Sequence, residues 1–470
     1  MLLLELPHEL LGHVAAFLIP EDVVHFGQTC RSANTLISPS NQVLWRDAFL
    51  HVYDDPKDAW SRLPQSYDVP NKAWDWHQEL KQRQLSLRIL FDKYPRRADI
   101  QEGTDPVTSL LSIIDTIKFA PTRAEISQGK LLEVDDRSSP ILQRLGDPHS
   151  YQRGMDFLIH EYFSNEPSQT RESYTWPGRP MTRARAVSTQ SSARTEAASR
   201  LHVLHGLTNK ERTDYKLRNQ ARQKVYDWDN TSQKTDYGPF AFDNTGKVNW
   251  PLLESVMCLI CHCFECCIQG QLALPTGLCY SIPHRTLVPP TTQHDWARVQ
   301  GSWLGTYAFV PYENLLAYNG GPVMGHATRD LNTAQDLIGD VLKMELMVDE
   351  SVKDDGKLKT EIPSAEDPDY PTLYFRGLSR GQGQNGSPMT SVKGFTSLIP
   401  GGREVRWKFI IAYGGSDQWQ LEGVQPGGIR SGGIYGLWSQ VDHEPAGPVG
   451  PFCYFPIELC KPTSIVLVSG

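Results

Sequence analysis

Strict alternation of side chains in the last third of the chain limits the fold more than any other feature. In the segment EVRWKFIIAY, Val405, Trp407, Phe409 and Ile411 alternate with Arg406 and Lys408. In GSWLGTYAFV, Trp303, Gly305, Tyr307 and Phe309 alternate with Leu304, Thr306, Ala308 and Val310. A period of two places every second side chain on one face, so both segments read as strands with one face packed inward. Further strands are predicted at Lys343 to Val348, Thr372 to Phe375, Gln418 to Val424, Ile434 to Gln440 and Phe452 to Ile457, several of them separated by glycine and proline clusters. Many short strands with recurrent aromatics predict a closed antiparallel barrel, because closure removes the unpaired edges through which sheets aggregate. The acidic stretch Asp349 to Pro371 reads as a solvated loop between strands.

The preceding two thirds are patterned for helix. Leu10, Val14, Phe17 and Leu18 recur at i, i+4, i+7 and i+8 and share one helical face. Pro20 ends that helix and fits the first turn of the next, where Glu21 and Asp22 face the N-terminal dipole and Val23 and Phe26 are apolar. A third apolar segment holds Leu44, Trp45 and Phe49. A unit of about fifty residues is near the lower limit for a core that folds alone, so an exposed apolar ridge on it implies a partner. Asn71 to Tyr94, Thr104 to Phe119 and Gly154 to Phe163 read as helices of a spacer; in the second, Thr104 is placed to cap and Pro106 to fill the first turn. Residues 164–200 are rich in Ser, Thr, Arg, Pro and Ala and read as a flexible linker. The expected division is a helical unit at 1–50, a helical spacer at 51–163, the linker, a helical segment at 201–288 that packs on the barrel, and the barrel at 289–470. The fold class is α+β.

Composition removes several functions. A formal net charge of −8 over 470 residues argues against a general nucleic-acid binder, which needs a basic surface. No apolar run reads as a membrane span, and the first apolar segment lacks the basic flank of a secretory leader. Nine cysteines, five of them between Cys258 and Cys267, do not form a dispersed disulfide framework and place the chain in a reducing compartment, cytosol or nucleus. Cys258, Cys261, Cys263, Cys266 and Cys267 spell two CxxC motifs beside His262. At about 100° per residue these thiols project to different sides of a helix, whereas zinc needs four converging ligands. They read as core, and neither a metal nor a cofactor is expected. Gly377 to Gly381 fits G-x-S-x-G around Ser379, but the turn-rich GQGQNGSP that follows cannot supply the helix of a nucleophile elbow. Gly381, Gly383 and Gly386 spell G-x-G-x-x-G without a βαβ unit. No catalytic residue is expected.

Two resemblances point to function. Leu6-Pro7, the Leu10/Val14/Leu18 ridge, the step Pro20-Glu21-Asp22-Val23 and Leu44-Trp45 resemble the F-box. That resemblance implies docking on the adaptor Skp1, and through it a cullin-RING ubiquitin ligase, with Leu6, Pro7, Leu10, Val14, Leu18, Pro20, Asp22, Val23 and Trp45 as contact candidates. Arg406-Trp407, Trp419 with Glu422 to Gln425 and Gly427-Gly428, Gly436 with Trp438, and Gly447 to Phe452 resemble the C-terminal domain of a group of F-box proteins, many of them fungal. Gly305 to Tyr307, Tyr215 to Asp227 and Val248 to Pro251 fit the same group, and Gly301-Ser302-Trp303 matches the G-x-W of lipocalin-type barrels. The Cys/His pairs that animal members carry before the barrel have no counterpart here, so no zinc site is carried over.

The implied function is a non-catalytic substrate-recognition subunit of an SCF-type (Skp1-cullin-F-box) E3 ubiquitin ligase, binding an unknown protein substrate through the barrel, with neither nucleic acid nor membrane as partner. The alternative is a small-ligand-binding barrel whose F-box couples ligand state to degradation. Candidate substrate residues are Arg406, placed at the barrel mouth to meet a carboxylate or carbonyl, with Trp407, Trp419, Gln425 and Trp438. For the tryptophans, packing of the barrel interior is the competing role.

Overall fold

The computed structural model describes residues 6–60, 74–100, 104–117, 140–162, 196–268, 270–282, 295–320, 331–381, 389–429 and 431–462. They divide into two compact units, one ending at Tyr162 and the other taking the described residues from 196 onward. Most of the stretch read as linker, together with Gly383 and Gly386 of the glycine motif, lies outside the described residues. Residues 196–205 are helical, so a helix begins inside the stretch assigned to the linker.

The first unit is helical. α1 (His8–Ala16), α2 (Pro20–Gly27), α3 (Arg31–Leu36) and α4 (Gln42–Val52) follow one another with short connections. Pro20 occupies the first turn of α2, with Glu21 and Asp22 beside it, and the Asn41 side chain caps α4 by accepting from the Leu44 amide. Leu11, Ala15, Ala16, Leu36 and Leu44 form the small core of this segment. Beyond it run the helices Trp76–Phe91, capped by Asp75, and Pro106–Asp115, where Asp105 and not Thr104 is the cap, accepting from the Val107 and Thr108 amides. Arg83 joins these helices to α4. It donates to the hydroxyls of Thr116 and Ser112, both at 2.9 Å, and lies 4.9 Å from the Phe49 ring and 5.3 Å from the Tyr53 ring.

In the second unit eight antiparallel strands close into an up-and-down barrel: β1 (Gly301–Phe309), β2 (Leu342–Val348), β3 (Leu373–Gly381), β4 (Thr390–Leu398), β5 (Val405–Tyr413), β6 (Ser416–Gln425), β7 (Ile434–Gln440) and β8 (Val449–Pro456). Each pairs with its neighbour in sequence, and β8 returns to β1 with Phe452 opposite Tyr307 and Pro456 opposite Trp303. The predicted alternation places Trp303, Phe375, Trp407, Phe409, Phe452 and Tyr454 together inside the barrel. Trp407 stacks on Phe409, with centroids 5.8 Å apart, and meets Trp303 edge to face at 5.2 Å.

The outer face of β1, β7 and β8 is covered by the helix Trp250–Ile268, which carries the cysteine cluster. Leu304, Ala308, Tyr435, Leu437, Cys453 and Phe455 of the strands form one core with Val256, Met257, Ile260 and Phe264 of the helix. Cys258, Cys261 and Cys263 are buried in this core, whereas Cys266 is exposed. By length and composition this helix could span a membrane, a feature the sequence reading missed; most of its best window is buried inside the unit, against the barrel and the helix Tyr215–Val225. His202, in the helix at 196–205, clamps this layer, with Nδ1 2.7 Å from Glu254 and Nε2 3.2 Å from Glu211. Burial opposes its charge, yet Glu211 and the other polar neighbours outweigh that and raise the imidazole pKa well above its ordinary value.

Candidate functional site

The first candidate surface lies on α1 and α2. Leu10, Val14 and Phe17 are 54%, 46% and 65% exposed, and Ile19 and Val24 are exposed beside them. Leu11 and Ala15, one position further along, supply the buried face. The i, i+4, i+7 ridge is therefore turned to solvent, an arrangement that a small helical unit sustains when a partner covers it. Of the predicted contact residues, Pro7, Leu10, Val14 and Asp22 are exposed and Leu6 and Leu18 half-buried. Pro20, Val23 and Trp45 are buried, with Val23 fully so and the Trp45 indole donating to the Ser38 carbonyl at 3.1 Å. These three shape the unit from inside and are corrected from contact residues to core. Phe17, Ile19 and Val24 belong to the ridge and were absent from the predicted contacts.

The second candidate is a cavity of about 240 Å³ at the end of the barrel where β3 stops, β4 starts and β5 turns into β6. Trp419, Trp438, Tyr307 and Tyr413 give it aromatic walls; Leu342, Ile411, Leu421, Phe452 and Tyr454 extend them; Ser379, Thr390 and Asp340 are its polar side chains. The rings stand nearly at right angles: Trp419 to Trp438 at 87° with centroids 5.2 Å apart, and Tyr307 to Trp438 at 85° and 6.2 Å. The Trp438 indole donates to the Ala308 carbonyl at 3.0 Å, which fixes its plane. Burial, then the neighbouring Tyr413 and Asp340, raises the Tyr307 phenol, so this wall is uncharged at neutral pH.

The five predicted substrate residues separate sharply. Trp419 and Trp438 line the cavity. Trp407 and Gln425 do not, because the Trp407 indole donates to Gln425 Oε1 at 3.2 Å, Gln425 Nε2 donates to the Ser431 carbonyl at 2.8 Å, and both residues are buried. Arg406 is not at the mouth. Its neighbours Val405 and Trp407 point inward, so its side chain leaves the outer wall of the barrel, where it is 1% exposed. There Nε and Nη2 each donate to Glu422 at 3.0 Å, Nη2 also to Asp236 at 2.6 Å, and Nη1 to the Thr360 hydroxyl at 3.0 Å. Lys408 sits alongside, 2.9 Å from Asp236 and 3.4 Å from Glu422. Two cations and two carboxylates thus compensate each other under the loop that carries Asp236. That loop is strained: Asp236 and Tyr237 both have left-handed backbones, as does His443, on which the Tyr237 ring stacks at 3.6 Å.

Ser379 lies within β3, paired with Met344 and Thr390, and faces the cavity. It has neither the sharp turn nor the following helix that a nucleophile elbow needs, and among the described lining residues there is no histidine. Gly377, two residues earlier, serves close strand approach: a Cβ there would stand 2.1 Å from the Glu345 carbonyl oxygen. Tyr307, Tyr413 and Asp340 were missed as cavity residues. For Tyr307 a signal existed, since its alternation with Trp303 places it on the inner face; Asp340, between strands, had none.

Neither a curated protein nor a solved structure matches the chain. A family model described as F-box-like matches residues 3–51, the segment that carries α1 to α4 and the exposed ridge, so the chain joins an F-box-like domain to a closed eight-stranded antiparallel barrel.

Proposed function

We propose that this protein is the substrate-recognition subunit of an SCF-type ubiquitin ligase, with the F-box-like domain binding Skp1 and the barrel binding a protein substrate. The observation that carries this reading is the solvent-facing ridge Leu10, Val14, Phe17 on the domain that matches the F-box-like family. A receptor of this kind needs no catalytic group of its own. It acts by holding a substrate on the scaffold that also holds the ubiquitin-charged enzyme, which raises their effective concentration. The cavity supports a protein substrate over a free ligand. At about 240 Å³ it falls below the roughly 300–1,000 Å³ of sites for drug-sized molecules and suits one inserted side chain. The proposed compartment is cytosol or nucleus, a reading supported by the cysteine pattern, in which five of the nine cysteines cluster on one helix instead of forming a dispersed disulfide framework.

The test is capture of Skp1 by the purified full chain. Leu10→Asp combined with Val14→Asp is expected to reduce captured Skp1 more than about tenfold, the scale of losing one interface hot spot. Both positions are exposed, so the thermal melt stays where it is in the unmodified chain. Undiminished capture by the folded variant overturns the docking assignment.

A further inference from the structure

We propose that the barrel cavity receives the phenol side chain of a tyrosine in a protein substrate. This rests on the reading of the barrel as the substrate-binding end and narrows it to one side chain. Two hydroxyls inside the cavity carry it. Ser379 and Tyr454 line the cavity and are only 3% and 2% exposed, and neither hydroxyl has a hydrogen-bond partner among the described residues. Neither oxygen is sealed in by its surroundings, so both remain open to the cavity. An occupant that displaces water from such groups must replace their hydrogen bonds or lose affinity.

Both hydroxyls are held in place before anything enters. Ser379 sits in the continuous strand β3 between Met344 and Thr390, and the Thr390 hydroxyl donates to its carbonyl at 3.4 Å. The Tyr454 ring fills the space left by Gly305, where a Cβ would stand 2.3 Å from it, and lies 6.0 Å from the Phe409 ring and 5.9 Å from the Phe452 ring. Burial raises the Tyr454 phenol pKa, so this hydroxyl stays protonated. An occupant therefore loses little to reorganisation.

The rest of the wall decides what carries the polar tip. Trp419, Trp438, Leu342, Ile411, Leu421 and Phe452 line the same space, which calls for an apolar body. Asp340 is the one described lining side chain charged at neutral pH, and it is exposed to solvent. An ion carried in among the buried groups would lose its hydration without gaining a counter-charge there, which excludes lysine, arginine, glutamate and a phosphorylated tyrosine. Among uncharged side chains, tyrosine joins a large apolar body to a terminal hydroxyl that both donates and accepts, as the two cavity hydroxyls do. The glutamine amide brings more polar positions on a smaller apolar body, and the tryptophan N–H only donates.

The experiment titrates the full-length chain with five capped pentapeptides that differ only in the central residue: tyrosine, phenylalanine, glutamine, phosphotyrosine or lysine. Tryptophan fluorescence and heat are followed. The tyrosine peptide is expected to bind at least about fivefold more tightly than the phenylalanine peptide, and at least about tenfold more tightly than the phosphotyrosine and lysine peptides. Glutamine should fall below phenylalanine. Ser379→Ala combined with Tyr454→Phe removes both hydroxyls and keeps the ring, so the tyrosine peptide should drop to the phenylalanine level while phenylalanine binding stays within about twofold. That unchanged phenylalanine affinity also shows that the cavity has kept its shape. Phenylalanine or glutamine binding as tightly as tyrosine, either charged peptide binding more tightly, a tyrosine preference that survives the double substitution, or no saturable binding at all would each overturn the inference. Skp1 capture on the same preparations separates the two levels: retained capture with no tyrosine preference removes this inference and leaves the receptor reading standing.

Discussion

Glu422→Ala is expected to lower the stability of the barrel unit by about 3–5 kcal/mol, the cost of removing one partner from a buried ionic group. Glu422 is 1% exposed and takes two hydrogen bonds from Arg406, while Lys408 lies 3.4 Å away. Without it Arg406 and Lys408 share Asp236 alone, and one positive charge is left uncompensated in a place that water does not reach. The double replacement Arg406→Met with Glu422→Leu removes a matched pair and fills similar volume, leaving Lys408 on Asp236; it should restore most of the loss. Urea unfolding of the three proteins at one pH above 7, where the Glu422 carboxyl is ionised, compared by midpoint at constant slope, checks this. A loss below about 1 kcal/mol for the single variant would show that water reaches the cluster.

The same cluster imposes two opposite pH dependences. Burial opposes ionisation of Asp236, but Lys408 and Arg406 outweigh it and lower its pKa to about 2. An unfolded aspartate titrates near 3.9, so this group's contribution is present above that value and is lost as pH falls toward 2. Burial pushes the Glu422 carboxyl up to about 7 against the pull of Arg406. Between roughly pH 4.5 and 7 the folded unit therefore holds a proton that the unfolded chain has released, and its stability falls as pH rises through that window. Glu422→Gln should flatten the slope between pH 4.5 and 7, and Asp236→Asn should flatten the acid limb, in urea unfolding repeated across pH.

Arg406 also marks the limit of what the sequence shows. Alternation in EVRWKFIIAY correctly separated Val405, Trp407, Phe409 and Ile411 as the inner face, since period two is a local property of the chain. It left Arg406 and Lys408 on the other face, where charge reads as solvent exposure. Their burial depends on Asp236, about 170 residues upstream, and on the loop around Thr360. Nothing local to either segment announces that meeting. The ridge of the F-box-like domain was legible for a similar reason, since its spacing lies within one helix. The burial of Val23 and Trp45 arises from helices folding against one another and was not. In the cavity, Trp419 and Trp438 were found because they are conspicuous, but Asp340 enters through strand register, which hydrophobic patterning does not encode. Ser379 shows the converse: its motif is local, and the continuous strand that contains it cancels the chemistry the motif suggests.

Gly305→Val should open the barrel. Gly305 sits in β1 at the seam that closes the sheet, opposite Tyr454 of β8 and Leu342 of β2. A Cβ there would lie 2.1 Å from the Cys453 carbonyl oxygen and 2.3 Å from the Tyr454 ring. The first of these is backbone and cannot turn aside as a side chain can. Gly377, Gly394 and Gly436 repeat the pattern within β3, β4 and β7, each with a neighbouring strand's carbonyl oxygen 2.1 Å from the Cβ position. Strands that coil this tightly bring carbonyls over the backbone of the next strand, and glycine is the residue that leaves room. Valine at 305 must push β8 away, which strains the β1–β8 ladder that removes the sheet's edges; the expected loss is about 3 kcal/mol or more. Gly414→Ala is the comparison: it lies in the β5–β6 turn with φ of +57° and nothing within 4 Å of its Cβ position, so it carries backbone strain alone, about 1 kcal/mol. Near-ultraviolet circular dichroism reports the ring packing around Trp407, and its collapse in Gly305→Val but not in Gly414→Ala would place the barrel's integrity in the seam. Equal and small effects of the two substitutions would mean that β1 and β8 can separate without disturbing the aromatic interior, and that closure contributes little to holding the cavity in shape.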